Sequence, residues 1–218
     1  MIPGELIGSG RTADVYALDG ERVLRRVRDG SDVTAEAAAL DHAVRHGYPA
    51  PRVLSADGPD LVMERLTGPT MLAALGGGRL DPAAAGATLA DLLRRLHTVP
   101  PRPGAVPGTR LLHLDRHPDN VILTPVGPMV IDWTNARDGA PALDVAMSAL
   151  ILAQVAVDET HPAAPGARLL LTAFLSHGLD LRGELRAAER YRGANPTMSA
   201  QELAVIPRAV ALIEALTR

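Results

Sequence analysis

A chain of 218 residues is long enough for one domain or for two small lobes with a real core, and a hydrophobic content of 47% makes it globular rather than disordered. A formal net charge of −3 and an aromatic content of 2% argue against nucleic acid, an anionic membrane surface or a stacking platform for single strands. Cysteine is absent, which excludes disulfides, thiolate metal sites and cysteine nucleophiles and fits a cytoplasmic setting.

The opening MIPGELIGSG has neither the basic nor the apolar region of an export signal. ELIGSG and ADVYAL read as strands flanking a glycine-bearing turn, and RVLRRV follows the turn LDGE as a third. DVTAEAAALDHAVRHG reads as a helix, with Val33, Ala37, Leu40 and Val44 near one face and Gly47 as its stop. RVLSA and DLVMERL give two more strands around DGPD, so a five-stranded antiparallel sheet with one helix is expected.

From Asp81 the pattern changes. Asp81-Pro82 supplies an N-cap and a first-turn proline, and Leu89, Leu92, Leu93 and Leu96 then repeat at helical spacing. A proline-rich loop, HTVPPRPGAVPG, leads to LLHLDRHPDNVIL, the turn TPVGP and the strand MVIDW. Helices are expected near residues 142–157, 165–177, 181–192 and 199–217. The longest apolar run, VAMSALILAQVAV, has 13 residues and reads as a buried helix, too short to span a bilayer. The layout is α+β: a β-rich N-lobe over residues 1–66 and an α-helical C-lobe over residues 67–218.

Two segments carry chemistry. In GSGRTADVY, Gly8, Ser9 and Gly10 form a turn between two strands. That is not a dinucleotide fingerprint, because no helix follows, but bare glycines there let backbone N–H groups approach phosphate oxygens. The second segment is His113-x-Asp115-x-His117-Pro118-x-Asn120, with Asp132 twelve residues beyond. Three readings stand. His113, Asp115 and His117 share one side of an extended segment and could chelate a transition metal. The polar groups could instead cap a turn. Or the segment is a phosphoryl-transfer loop, in which Asp115 orients and deprotonates a hydroxyl while Asn120 and Asp132 hold Mg²⁺ against the phosphates.

HLDRHPDN with IDW resembles the H-G-D-x-H-x-x-N and I-D-W/F motifs of the aminoglycoside phosphotransferase/choline kinase-like family, and the resemblance runs over most of the chain in order and spacing. It implies the two-lobed protein kinase-like fold. It implies that Asp115 is the catalytic Asp and that Asn120 and Asp132 are Mg²⁺ ligands. Gly8, Ser9 and Gly10 would position the nucleotide, and backbone groups around Glu64–Leu66 would meet its base, so that Glu64 and Leu66 join the nucleotide site. VLRRV occupies the place of the strand bearing a phosphate-binding lysine, Glu36 that of its helix partner, and Asp144 that of an anchor for the catalytic loop.

The lysine is missing. The sequence contains none, so all 22 basic residues are arginine, as in a GC-rich genome, and Arg25 best fills the register with Arg26 next in line. Alternation along a strand lets only one of the two face the cleft. Leu114 replaces the family's glycine, and Asp119 a small residue. The implied activity is an ATP- or GTP-dependent, Mg²⁺-dependent phosphotransferase acting on a small-molecule hydroxyl, with no nucleic-acid or membrane partner. The alternative is a non-catalytic nucleotide-binding module. Asp158, Glu159, Asp180 and Glu184 are candidate acidic groups on the acceptor side, but no cluster has the density a polycation would need, and the acceptor is left open.

Overall fold

A computed structural model describes residues 3–181 and 183–218 of the chain. Five strands form one antiparallel sheet: β1 (Leu6–Ser9), β2 (Ala13–Ala17), β3 (Arg22–Val27), β4 (Val53–Asp57) and β5 (Asp60–Glu64), in the order β1-β2-β3-β5-β4. These are the five strands expected from the sequence. In β3, alternation places Val23, Arg25 and Val27 on one face and Leu24 and Arg26 on the other. Arg25 thereby meets helix α1 (Thr34–Arg45), while Arg26 reaches Asp60 of β5 at 2.6 Å. Helix α1 ends where Gly47 takes φ +77°, a left-handed stop that glycine adopts without a Cβ penalty.

The rest is mainly helical. The short helix α2 (Met71–Gly76) is capped by Thr70, and α3 (Pro82–Thr98) by the Asp81 carboxylate, which accepts from Ala84 N. Leu89, Leu92, Leu93 and Leu96 are all buried, each contributing roughly 2–3 kcal/mol of apolar burial. Two short two-stranded sheets follow: β6 (Arg110–Leu112), β7 (Val121–Thr124), β8 (Gly127–Val130) and β9 (Arg137–Gly139), with β6 on β9 and the hairpin β7 on β8 between them in the chain. Helix α4 (Pro141–Val157) is buried along most of its length and packs on α5 (Ala164–Ser176), α6 (Leu185–Gly193) and α8 (Ile206–Leu216), with α7 (Ala200–Ala204) just before α8. Gly86 lets α3 lie against α5: a Cβ there would stand 2.8 Å from the Ala173 Cβ. The segment between β5 and α2 joins sheet to helices, and we propose the lobe boundary there, between residues 66 and 67.

Three details differ from the sequence reading. The helix expected over 199–217 is two helices, because Pro207 has no N–H to give the Leu203 carbonyl. The strand MVIDW ends at Val130, because Asp132 turns to φ +59°, outside the extended region. Strand β9, Arg-Asp-Gly, is too short and polar to show an alternating pattern. Among the described residues no helix is long and apolar enough to cross a membrane.

Candidate active site

A cavity of about 1300 Å³ opens between the sheet and the helices. Asp115, Asn120, Asp132, Arg25, Gly8, Ser9, Gly10, Glu64 and Leu66 all line it; Glu36 alone of the candidates stands behind the wall.

The stretch 111–123 folds around one buried carboxylate. Asp144, at the start of α4, accepts from Leu114 N at 2.7 Å, from His113 N at 3.1 Å and from His97 Nε2 at 3.1 Å. Burial works to raise its pKa, but His97, Arg116 and His113 outweigh it and hold the carboxyl at about 2. These bonds stabilise a left-handed Leu114, φ +63°, in a conformation that costs a non-glycine residue roughly 1–2 kcal/mol. His113 is fully buried. Its Nδ1 accepts from Asp115 N at 3.3 Å and its Nε2 donates to the Ile131 carbonyl at 3.0 Å, while its ring meets the edge of Trp133 at 5.0 Å. Burial first, then Arg116, lowers its pKa to about 4, so the ring is neutral at pH 7. With both nitrogens engaged, His113 is no metal ligand, which removes the chelate reading of the stretch.

Asp115 emerges from this frame into the cavity. Asn120 Nδ2 donates to the Asp115 carbonyl at 2.8 Å and to its Oδ2 at 3.3 Å, leaving Asn120 Oδ1 without a bond from the described residues. Burial works to raise the Asp115 pKa, but His117, whose Nε2 lies 3.8 Å from Oδ2, and Arg192, 3.6 Å from Oδ1, prevail, and the carboxyl titrates below its ordinary range. Ile131 N donates to the Asn120 carbonyl at 3.0 Å, which ties the loop to Asp132. Trp133 packs against His113 and Tyr48 and donates to the Val130 carbonyl; it is core, not substrate platform.

On the sheet side, Arg25 Nη1 binds Glu36 Oε2 at 3.0 Å, its Nη2 donates to Thr134 Oγ1 at 2.6 Å, and Asp132 Oδ1 lies 3.5 Å from Nη2. Thr134 Oγ1 in turn donates to Asp132 Oδ1 at 2.7 Å. Burial raises the Glu36 pKa against the pull of Arg25. The glycine turn differs from simple expectation. Gly10 N is spent inside the turn on the Ala13 carbonyl at 2.8 Å, and a Cβ on Gly8 or Gly10 would meet only ordinary contacts. The N–H groups of Arg11 and Thr12 carry no hydrogen bond among the described residues. At the connector, Glu64 turns its carboxylate away to Arg52 at 3.3 Å, and Arg65 N binds the Glu21 carbonyl; Leu66 N carries no hydrogen bond among the described residues.

Several lining groups escaped the sequence reading. Arg11, in the glycine turn, reaches across to α7, where it binds Glu202 in a bidentate pair and donates to the Thr197 carbonyl at 3.0 Å. Arg192 of α6 stands beside Asp115. Of the acidic candidates on the acceptor side, only Asp158 lines the cavity. Arg11 and Arg192 lie in polar segments that read as solvated surface, so nothing in the sequence singles them out.

No group of three or more His, Asp or Glu among the described residues forms a metal cage of its own. That donor set fits Mg²⁺, which takes one or two carboxylates and fills its shell with water and phosphate oxygens. Asn120 Oδ1 and Asp132 line the cavity and could supply two such oxygens.

A family model described as "Phosphotransferase enzyme family" matches residues 4–110 and 103–188. No curated protein matches at a significant level. Among solved structures, the chain is similar to a gentamicin-APH(2")-IIa complex, with 13% identity, 95% of this chain and 90% of that chain covered, and a TM-score of 0.58. It is similar to a choline/ethanolamine kinase family protein from Mesorhizobium loti, with 18% identity, 99% and 88% covered, and a TM-score of 0.57. It is also similar to ADP-bound aminoglycoside phosphotransferase APH(2'')-Ib, with 14% identity, 99% and 95% covered, and a TM-score of 0.55. What these likenesses show is the shared fold, the two-lobed protein kinase-like architecture.

Proposed function

Because the chain belongs to the phosphotransferase enzyme family and is a small-molecule kinase, we propose that it moves the terminal phosphoryl group of ATP or GTP to a hydroxyl of a small molecule. One observation carries this reading: Asp115, with a depressed pKa, lines one cavity with Asn120 and Asp132, and Arg25 stands 3.5 Å from Asp132. An ionised Asp115 orients the acceptor hydroxyl and takes its proton as the new P–O bond forms and the bond to the nucleoside diphosphate breaks. Asn120 and Asp132 would hold Mg²⁺, which neutralises charge on the phosphate oxygens when bound. Arg25, braced by Glu36 and Thr134, fits the place of the missing lysine, since a guanidinium binds phosphate and carboxylate alike. The N–H groups of Arg11 and Thr12 add backbone donors, and Leu66 N offers one to the base. The use of a nucleoside triphosphate and the lack of cysteine suit the cytoplasm.

The test is nucleotide binding by thermal shift, with ATP and GTP, with and without Mg²⁺, beside turnover. Asp115→Asn keeps binding and loses turnover; Asp132→Ala loses the Mg²⁺-dependent part of binding. An affinity indifferent to Mg²⁺ and to both substitutions sinks the assignment.

A further inference from the structure

The helical wall beside Asp115 is built around Arg192. Its side chain is only 14% exposed. Its Nε donates to Gln154 Oε1 at 2.9 Å, and Gln154, itself buried in α4, donates from Nε2 to the Glu202 carbonyl at 2.9 Å. The guanidinium is thus oriented from behind, with its Nη edge left to the cavity. Nη1 lies 3.6 Å from Asp115 Oδ1, beyond hydrogen-bond length, and among the described residues no other acid lies within 4 Å. Neither Nη atom has a hydrogen-bond partner among the described residues. Burial lowers the Arg192 pKa, yet a guanidinium stays charged in proteins. The cation is partly buried, and its Nη edge, open to the cavity, can give charge-assisted hydrogen bonds to an anion there.

The other charges on this helical wall are already satisfied, while the exposed Asp119 of the 111–123 stretch also lines the cavity. Arg11 is bound by Glu202, which also receives Ser199 N at 2.8 Å. Asp158 accepts from Thr160 at 2.6 Å and from Gln201 at 3.4 Å. The unspent group on this wall is therefore a cation, and a polycationic acceptor would set like charge against it.

We propose that Arg192 anchors an anionic group of the acceptor, so that the substrate class is a small hydroxy acid. The inference rests on Asp115 being the base. A carboxylate on the Nη fork leaves Asp115 to the hydroxyl. With hydrogen bonds of ordinary length at both ends, the two acceptor oxygens lie within about 9 Å of each other, the reach of a chain of a few carbons.

The test compares acceptors on the same enzyme with Mg²⁺ and nucleotide. Glycolate, glycerate, 4-hydroxybutyrate and gluconate span that reach; each is assayed beside its primary amide and an amino alcohol of equal length. At least one acid is expected to exceed its amide in kcat/KM by roughly 10- to 100-fold, the worth of a charge-assisted fork. In Arg192→Met the ratio falls to near one, mainly through the KM of the acid, and Arg192→Lys restores part of it. A ratio of two acceptors cancels damage to folding or to Asp115, and if the methionine variant does not fold, the wild-type ratio decides alone. Amides or amines that match the acids overturn the proposal, as does a ratio that survives Arg192→Met. Equal loss for acid and amide also overturns it, placing Arg192 on the transferred phosphoryl group. If no acceptor is phosphorylated while nucleotide hydrolysis still depends on Asp115, this inference falls and the phosphotransferase reading stands. If nucleotide is neither bound nor hydrolysed, that reading falls as well.

Discussion

Replacing Arg25 with methionine deletes a cation and keeps most of its apolar stem. The side chains of Arg25 and Glu36 are 6% and 7% exposed and 3.0 Å apart. Among the described residues no other cation lies within 4 Å of Glu36, so the variant leaves its carboxylate with the Thr134 hydroxyl at 3.3 Å and a backbone bond to Trp133. Removing one partner of a buried pair costs roughly 3–5 kcal/mol. The cost depends on pH. Burial already holds the Glu36 pKa above its unfolded value, and loss of Arg25 raises it further. The folded variant therefore takes up the proton first as pH falls; the penalty is complete above the folded pKa and fades below it. Urea unfolding at pH 5, 6.5 and 8 should show the largest loss at pH 8, with an unchanged slope. Adding Glu36→Gln removes the stranded charge and should recover roughly 1–3 kcal/mol at pH 8. A loss below about 1 kcal/mol, a pH-independent loss, or simple additivity of the two substitutions refutes the reasoning.

Three further outcomes are expected. Asp144→Asn replaces one of the two carboxylate oxygens by an N–H donor, which then faces either the His113 or the Leu114 amide, and should cost roughly 3–5 kcal/mol in thermal unfolding; a loss under about 1 kcal/mol would show that the loop is held elsewhere. His113 has a folded pKa of about 4, below its unfolded value, so the unfolded chain binds the proton first and about 3 kcal/mol of stability should be lost as pH falls from 6.5 to 4. Asp144 and Glu202, each lowered to about 2, begin to lose their contribution at about pH 4.5 but lose most of it below that window, so His113→Gln should remove most of the slope between pH 6.5 and 4; an unaltered profile contradicts the assignment. Arg11→Ala cuts a partly exposed pair between the glycine turn and α7 and should shift stability by less than about 1 kcal/mol while speeding nucleotide association several-fold in stopped flow; an unchanged rate shows that this pair does not hold the cavity closed.

What could be read in advance was what is local. Alternation in RVLRRV sends Arg25 and Arg26 to opposite faces, and the structure directs Arg25 to Glu36. The cap at Asp81 and the leucine stripe define α3. Asp115 and Asn120 share one short loop, so their spacing could be read directly, and Asp132 returns to them through the bond from Ile131 N to the Asn120 carbonyl. The acceptor wall could not be read. Arg11 and Glu202 are 191 positions apart, and Arg192 sits in a helix with Arg186, Glu189 and Arg190, whose polarity conceals which member turns inward. Leu114 in place of the family's glycine gives no sign of a left-handed backbone, which a non-glycine residue rarely adopts. That two bonds from Asp144 hold it left-handed is a tertiary fact.

The His113 imidazole sets a length. One nitrogen takes the Asp115 amide and the other the Ile131 carbonyl, so a rigid five-membered ring fixes the gap between the loop bearing the proposed base and the segment bearing Asp132. Hinge motion between the lobes cannot stretch that strut. Any opening of the cleft must instead part Arg25 from Thr134 and Arg11 from Glu202, since those contacts span it. On the proposed function, an opening cleft would then leave the proton and metal groups assembled and would part only the groups proposed to grip phosphate.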